Sequence, residues 1–272
     1  MQYGISILLS GISLGGQYAL IAIGYTMVYG ILRLINFAHG DVFMVAGLMM
    51  VYLSASLPLA AAIPLMIILT VLLGFIIERA AYKPLRTAPR MSVMISAIGV
   101  SYLLQNTATY ITGGQPMVYP EIAGLTKTVT IAGTPTKLVV LITPILVILL
   151  VVGLTQLINH TKVGMAMRSV SWDRFALPLM GIPLDSVIVV TFVLGSGIAG
   201  LGGMLFAMCY PNLEPYMGAM IGWKAFIAAV VGGIGDIRGA FVGGFMLAFV
   251  EIMVVAFLPS TYMDLFSFTI LL

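Results

Sequence analysis

Residues 138–158 read LVVLITPILVILLVVGLTQLI, and this run decides the fold. It carries no charged side chain. One membrane-spanning helix needs roughly 20 predominantly apolar residues, and the run supplies them without a break. A transmembrane barrel would instead alternate apolar and polar residues in segments of about ten. Continuous runs of the same kind recur along the chain, so we read an all-α, polytopic transmembrane bundle. Composition points the same way: 61% of the 272 residues are hydrophobic and 8% are charged. A soluble domain is about 25% charged. One soluble core could not hide so much apolar surface, so lipid must cover the excess. At roughly 20 residues per crossing plus loops, the chain has room for about eight or nine spans.

The runs and their interruptions place spans at 8–29, 42–57, 60–77, 93–111, 138–158, 187–208, 222–234 and 239–257. Residues 266–272 look like the start of a ninth helix, too short to cross, and we expect a truncation there. No Lys or Arg precedes the first run, so it reads as a retained helix rather than a cleavable signal. Residues 1–272 form a single transmembrane domain on this reading. Lys and Arg concentrate in cytoplasmic loops. The clusters Arg79, Lys83, Arg86, Arg90 and Lys162, Arg168, Arg174 lie two spans apart, so both can face inward, with Arg33 and Arg238. Nine of the twelve basic residues then lie inside, with Lys127, Lys137 and Lys224 outside, which puts the N-terminus outside. The net charge of +3 is small, and no nucleic-acid partner is expected. The single cysteine, Cys209, excludes an internal disulfide and a cysteine metal cluster. No cofactor is expected.

Residues 195–200, GSGIAG, match the dinucleotide pattern GxGxxG letter for letter. That motif needs a strand before it and a helix N-terminus after it, whereas here it lies inside an apolar helix. Close helix packing is the better reading, because small residues let backbones touch in lipid. Ser196/Gly200, Ala199/Gly203, Gly11/Gly15, Gly239/Gly243 and Ala240/Gly244 all have the small-xxx-small spacing. No GxxxxGK[ST] or HExxH occurs, so an ATP-binding P-loop and an intramembrane enzyme are not expected.

Apolarity fails in four informative places. Asn36, His39, Gly40 and Asp41 sit between two runs. They form either a cytoplasmic turn, with Asp41 capping the second helix, or a broken helix lining a solute pathway. Residues 232–239, GGIGDIRG, follow a short span and admit the same two readings, with Gly232, Gly233 and Gly235 as candidate pathway residues. Gln105 and Asn106 lie midway along the fourth span and either bond neighbouring helices or line the pathway. The insert 160–185 is basic and reads as one or two short helices at the cytoplasmic surface. Ser171 is expected to cap a helix starting at Trp172, and Gly181 to end it before Pro183.

These residues resemble the permease subunits of branched-chain amino acid ABC importers, over essentially the whole chain. The resemblance rests on Leu14-Gly15 with Tyr18-Ala19-Leu20, on 24–32 (GYTMVYGIL) running into 35–41 (INFAHGD), and on Glu78-Arg79 with 82–86 (YKPLR). It continues through the insert, Tyr210-Pro211-Asn212, and Lys224-Ala225-Phe226 on to 232–235 (GGIG). The resemblance implies a second, homologous permease, two cytoplasmic ATP-binding subunits and a periplasmic substrate-binding protein as partners. It implies alternating access across the inner membrane of a bacterium or archaeon, with no ATPase in this chain. The insert then becomes the coupling segment, carried by Arg168, Asp173, Arg174, Ala176 and Gly181. This chain departs from the family in having Phe175-Ala176-Leu177-Pro178 before Leu179-Met180-Gly181-Ile182. Pro178 lies about six residues into the presumed helix, where a proline costs roughly 3 kcal/mol. The family's basic C-terminal tail is missing, in line with a truncation. The same machine could carry urea, short amides or another small solute. An autonomous channel or ion-coupled carrier would leave the insert without a purpose, and a scaffold would not need broken helices.

Overall fold

The computed structural model describes residues 2–120, 127–131, 134–172 and 176–271. Each of the eight sequence-predicted spans falls on a helix. The first five are α1 (Gln2–Leu32), α2 (His39–Ser56), α3 (Leu59–Ile77), α4 (Arg90–Thr112) and α5 (Leu138–His160). Two short helices follow, α6 (Lys162–Trp172) and α7 (Ala176–Leu179). Then come α8 (Leu184–Cys209), α9 (Met217–Gly232), α10 (Ile237–Phe257) and the short α11 (Met263–Thr269). α1, α2, α3, α5, α8 and α10 are long and apolar enough to cross a membrane. The apolar α9 has 16 residues. Helices are what lipid demands, because each backbone N–H and C=O must be satisfied within its own segment. The chain is a multi-pass, all-α membrane protein.

α1 is the axis, packing against α10, α8, α9 and α5. Its most apolar window is 72% buried, against 28% in α3 and 22% in α5. The last two are therefore the lipid-facing members, their apolar side chains turned outward.

The small-residue stripes are where the helices touch. A Cβ on Gly203 of α8 would strike the Phe43 carbonyl of α2, and one on Gly243 of α10 would strike the Ala228 carbonyl of α9. The 195–200 stretch packs in the same manner: Ser196 lies against Gly74 and Gly200 against Thr70, both on α3. Gly11 and Gly15 receive Phe249 and Phe245 of α10.

Three features depart from the sequence reading. The segment between α4 and α5 is not plain loop. Met117–Val118 (β1) pairs antiparallel with Asn212–Leu213 (β4), tying it to the α8–α9 connection. Thr128–Ile131 (β2) pairs with Thr134–Lys137 (β3) in a hairpin. Second, the third span does not stop at Ile77. It continues through a π-helical turn, Glu78–Tyr82, and a 3-10 turn, Lys83–Leu85. Third, Ser171 does not start a helix. It lies within α6, and its hydroxyl donates to the Arg168 carbonyl. α7 is described from Ala176 onward and contains Pro178. Gly181 does end this helix: it sits at φ +76, with Ile182 N–H donating to the Leu177 carbonyl at 3.1 Å.

Candidate functional site: a flank cavity and the α6–α7 end

The connection between α1 and α2 is a true break. Arg33 closes α1 in the left-handed region, φ +54, its N–H reaching the Tyr29 carbonyl at 2.7 Å. The chain then dives back into the bundle. Asn36, His39 and Asp41 are all almost fully buried. Asn36 Oδ1 accepts from the Tyr82 hydroxyl of the π turn at 2.9 Å. The His39 ring stands edge-on to Tyr25 at 5.1 Å and fills the space that a side chain at Gly24 would need. Its Nε2 has no hydrogen-bond partner among the described residues. Gly40 lies backbone to backbone against Gly218 and Gly222 of α9, a contact that only glycine allows.

Asp41 is where two separately chosen candidates meet. Gln105 Nε2 donates to Asp41 Oδ1 at 3.0 Å and to Ser101 Oγ at 3.0 Å. Ser101 Oγ donates to Asp41 Oδ2. Among the described residues no Lys or Arg forms an ion pair with this carboxylate. Ser101 and Gln105 form part of the wall of a cavity of about 250 Å³, completed by Tyr25, Phe37, Trp223 and Phe226 among others. Phe37 stands 5.2 Å from Trp223 and 6.2 Å from Phe226, ring centre to ring centre. The rim residues Ile98, Tyr102 and Trp223 are exposed and lie along α4 and α9 rather than at their ends. The cavity therefore opens on the flank of the bundle. Asn106 does not join Asp41. It is exposed one turn beyond Tyr102, its amide donating to the Tyr102 carbonyl at 2.7 Å.

The 232–239 stretch is a tight α9–α10 connection. Gly233 and Gly235 take φ +97 and +105, and the Asp236 carboxylate caps α10 by accepting from Arg238 N–H at 3.0 Å. Gly232 packs against the Gly239 carbonyl. Gly235 and Arg168 are brought together, lining a cavity of about 100 Å³ with Ser171 and Gly30. Arg168 also donates to Asn159 Oδ1 at 3.0 Å, fastening α6 to the end of α5. Asp173 and Arg174 lie outside the described residues. Ala176 lies in α7.

Two charged clusters escaped the sequence reading. At the α6–α7 end, Asp185 on the first turn of α8 pairs with Lys83 at 3.0 Å and with Arg86. Arg86 in turn pairs with the fully buried Glu78. Through Tyr82 this π turn also touches Asn36, so a chain of polar contacts runs from α8's start to the α1–α2 break. The second cluster is built around Lys224. It is buried on α9, with Nζ 3.0 Å from Glu251 of α10 and 2.9 Å from Asp264 of α11. Tyr18 donates to Glu251 at 2.7 Å, and Ser267 of α11 donates to its other oxygen. A lone Lys on α9 and a lone Glu on α10, adjacent in an antiparallel pair, were the available signal. For Ser101 it was the i, i+4 spacing to Gln105.

The fold and site define a polytopic membrane protein with a buried polar break beside a flank cavity and an amphipathic segment at one end. The profile of the family described as "Branched-chain amino acid transport system / permease component" matches residues 7–272. The chain is 40% identical over 286 residues to the high-affinity branched-chain amino acid transport system permease protein LivH of Salmonella typhimurium, covering 99% of this chain and 92% of that one. It is 38% identical to LivH of Escherichia coli K12, with the same coverage. To BraD of Pseudomonas aeruginosa it is 36% identical, covering 97% of this chain and 91% of the relative. A solved structure, PsaBC from Streptococcus pneumoniae in complex with Fab, aligns with TM-score 0.48 at 11% identity over 97% of this chain and 89% of that one, too weakly to bear on the family. The chain belongs to the permease components of branched-chain amino acid transport systems.

Proposed function

We propose that this chain is the membrane-crossing permease of an ATP-driven importer that carries branched-chain amino acids into the cytoplasm. It crosses the inner membrane of a bacterium or archaeon eight times, as one domain, with α6 and α7 at the cytoplasmic face. ATP hydrolysis belongs to two cytoplasmic partner subunits, and a periplasmic binding protein delivers the solute. The observation that carries this reading is the exposed apolar surface of the α6–α7 segment. Trp172 is 92% exposed, Leu179 89% and Met180 75%, at the end where the Asp185–Arg86–Glu78 chain begins. Large apolar groups left bare beside basic ones suit a protein partner. A partner closing on that segment would pull on the π turn and, through Tyr82, on the α1–α2 break.

The flank of α4 supports a second permease. Exposed Tyr102, Asn106 and Tyr110 are poor company for lipid, and α4 is not among the helices apolar enough to cross by composition. A homologous subunit seated there would cover these groups and close the cavity mouth. The solute would then pass between two permeases, past Asn36, His39, Gly40, Asp41 and Gln105. An autonomous channel is disfavoured because it would have no use for the exposed segment. To test the coupling role, Trp172→Asp and Arg174→Glu are placed in the assembled transporter, and ATPase rate and leucine uptake are measured together. Uptake lost while basal hydrolysis persists is the expected outcome. Normal coupling in both variants would remove the segment from the mechanism.

A further inference from the structure

Resting on the reading of the chain as an amino acid permease, we propose that Gln105 and Asp41 form an ammonium-recognition site in the flank cavity. The permease would thereby itself select zwitterionic or cationic amines over solutes that lack one. Asp41 is a buried carboxylate with two neutral donors and, among the described residues, no cation. Burying a charge without a counter-charge is costly, and an incoming ammonium would relieve that cost. Ser101 and Gln105 stand between Asp41 and the cavity. Because Gln105 spends its Nε2 on Asp41 and Ser101, its Oε1 is the acceptor left for whatever enters. The carboxylate polarises that amide, and hydrogen bonds in a chain strengthen one another at low dielectric.

The rest of the cavity suits a branched aliphatic side chain. Tyr25, Phe37, Trp223 and Phe226 supply ring faces and edges, with Tyr25 and Phe226 centred 6.1 Å apart. At about 250 Å³ the space falls just below the roughly 300–1,000 Å³ of pockets for drug-sized ligands, as a small solute requires. Among the described lining residues there is no charged side chain, and the charge that Ser101 and Gln105 reach behind the wall is the Asp41 carboxylate, so the ammonium rather than the carboxylate of a solute is the ionic handle.

The protein carries its own reporter. Its two tryptophans are Trp172, exposed on α6, and Trp223, in the cavity wall. With Trp172→Phe, emission from the purified full chain comes from Trp223 alone. Leucine should shift that emission saturably, and 3-methylbutylamine, which keeps the ammonium and drops the carboxylate, should compete. 4-Methylpentanoate, which lacks the ammonium, should bind about ten- to a hundred-fold more weakly, the worth of one charge-assisted hydrogen bond. Asp41→Asn should abolish the preference for amines. Gln105→Met, which keeps length and the Asp41 carboxylate, covers the case that Asp41→Asn misfolds, and should weaken leucine by a similar factor. The proposal is overturned if 4-methylpentanoate competes as well as the amine, if Gln105→Met binds leucine normally, or if leucine leaves Trp223 unmoved. Each of these with leucine uptake intact in the assembled transporter sinks the ammonium site alone. Absence of leucine uptake by the unmodified transporter sinks the functional reading beneath it.

Discussion

Replacing Lys224 with methionine should cost more stability than any surface change in the chain, and the structure sets the amount. The Lys224 side chain is 7% exposed and Glu251 is not exposed at all. Removing one partner of a buried ion pair leaves an uncompensated charge, at about 3–5 kcal/mol. The contact to Asp264 adds less, because that side chain is 44% exposed overall even though its contacting Oδ1 is buried; exposed pairs are worth about 0–1 kcal/mol. Tyr18 and Ser267 still donate to Glu251, which keeps the loss within that range rather than above it. At about 2–4 °C per kcal/mol for a chain of this size, Lys224→Met should lower the melting midpoint in detergent by roughly 6–20 °C. Adding Glu251→Gln removes the stranded charge, so the double variant should recover most of the loss, a coupling that a double-mutant cycle isolates. A single variant melting within about 2 °C of the parent, under 1 kcal/mol on the same scale, would refute the reasoning. So would a double variant no more stable than the single one.

Gly203→Ala should destabilise by about 1–3 kcal/mol, since its new Cβ would meet the Phe43 carbonyl. Gly99→Ala, whose Cβ meets nothing within 4 Å, should be neutral or stabilising by about 0.5–1 kcal/mol. The same melting assay reads both. Tyr82→Phe removes the bond to Asn36 while keeping the ring against Phe192 at 4.8 Å. It should cut leucine uptake severalfold while lowering melting only by the few degrees that an unsatisfied Asn36 Oδ1 costs, about 1–3 kcal/mol; uptake that falls no further than that loss of stability explains would make the contact structural only. Asp185→Asn should weaken the link to Lys83 and Arg86, and lower uptake per ATP hydrolysed by the assembled transporter.

The helices were legible because lipid leaves the backbone no alternative, so every long apolar run became one. Where that constraint relaxes, reading the chain alone fell short. Charges at Glu78 and Arg79 suggested an end to the third span, yet the backbone stays helical by widening into a π turn. The Thr128–Ile131 and Thr134–Lys137 strands depend on each other and carry too few residues to show a period alone. The small-residue spacings transferred directly, since close approach is written in side-chain size. In the site, Asp41 and Gln105 each stood out as polar groups in apolar surroundings, but their pairing joins residues 64 positions apart. Lys224 counted only as a topology signal, because its Glu251 partner lies on the next helix and becomes visible only once α9 and α10 are packed.

The most direct measurement is leucine uptake into proteoliposomes, comparing the complex purified through a tag on this chain with the chain reconstituted alone. ATP is supplied on the side of the α6–α7 segment, and the partner binding protein on the other. The expected result is uptake against a gradient by the complex, abolished without ATP, and none by the chain alone. Leucine equilibrating through the chain alone, without ATP, would contradict it.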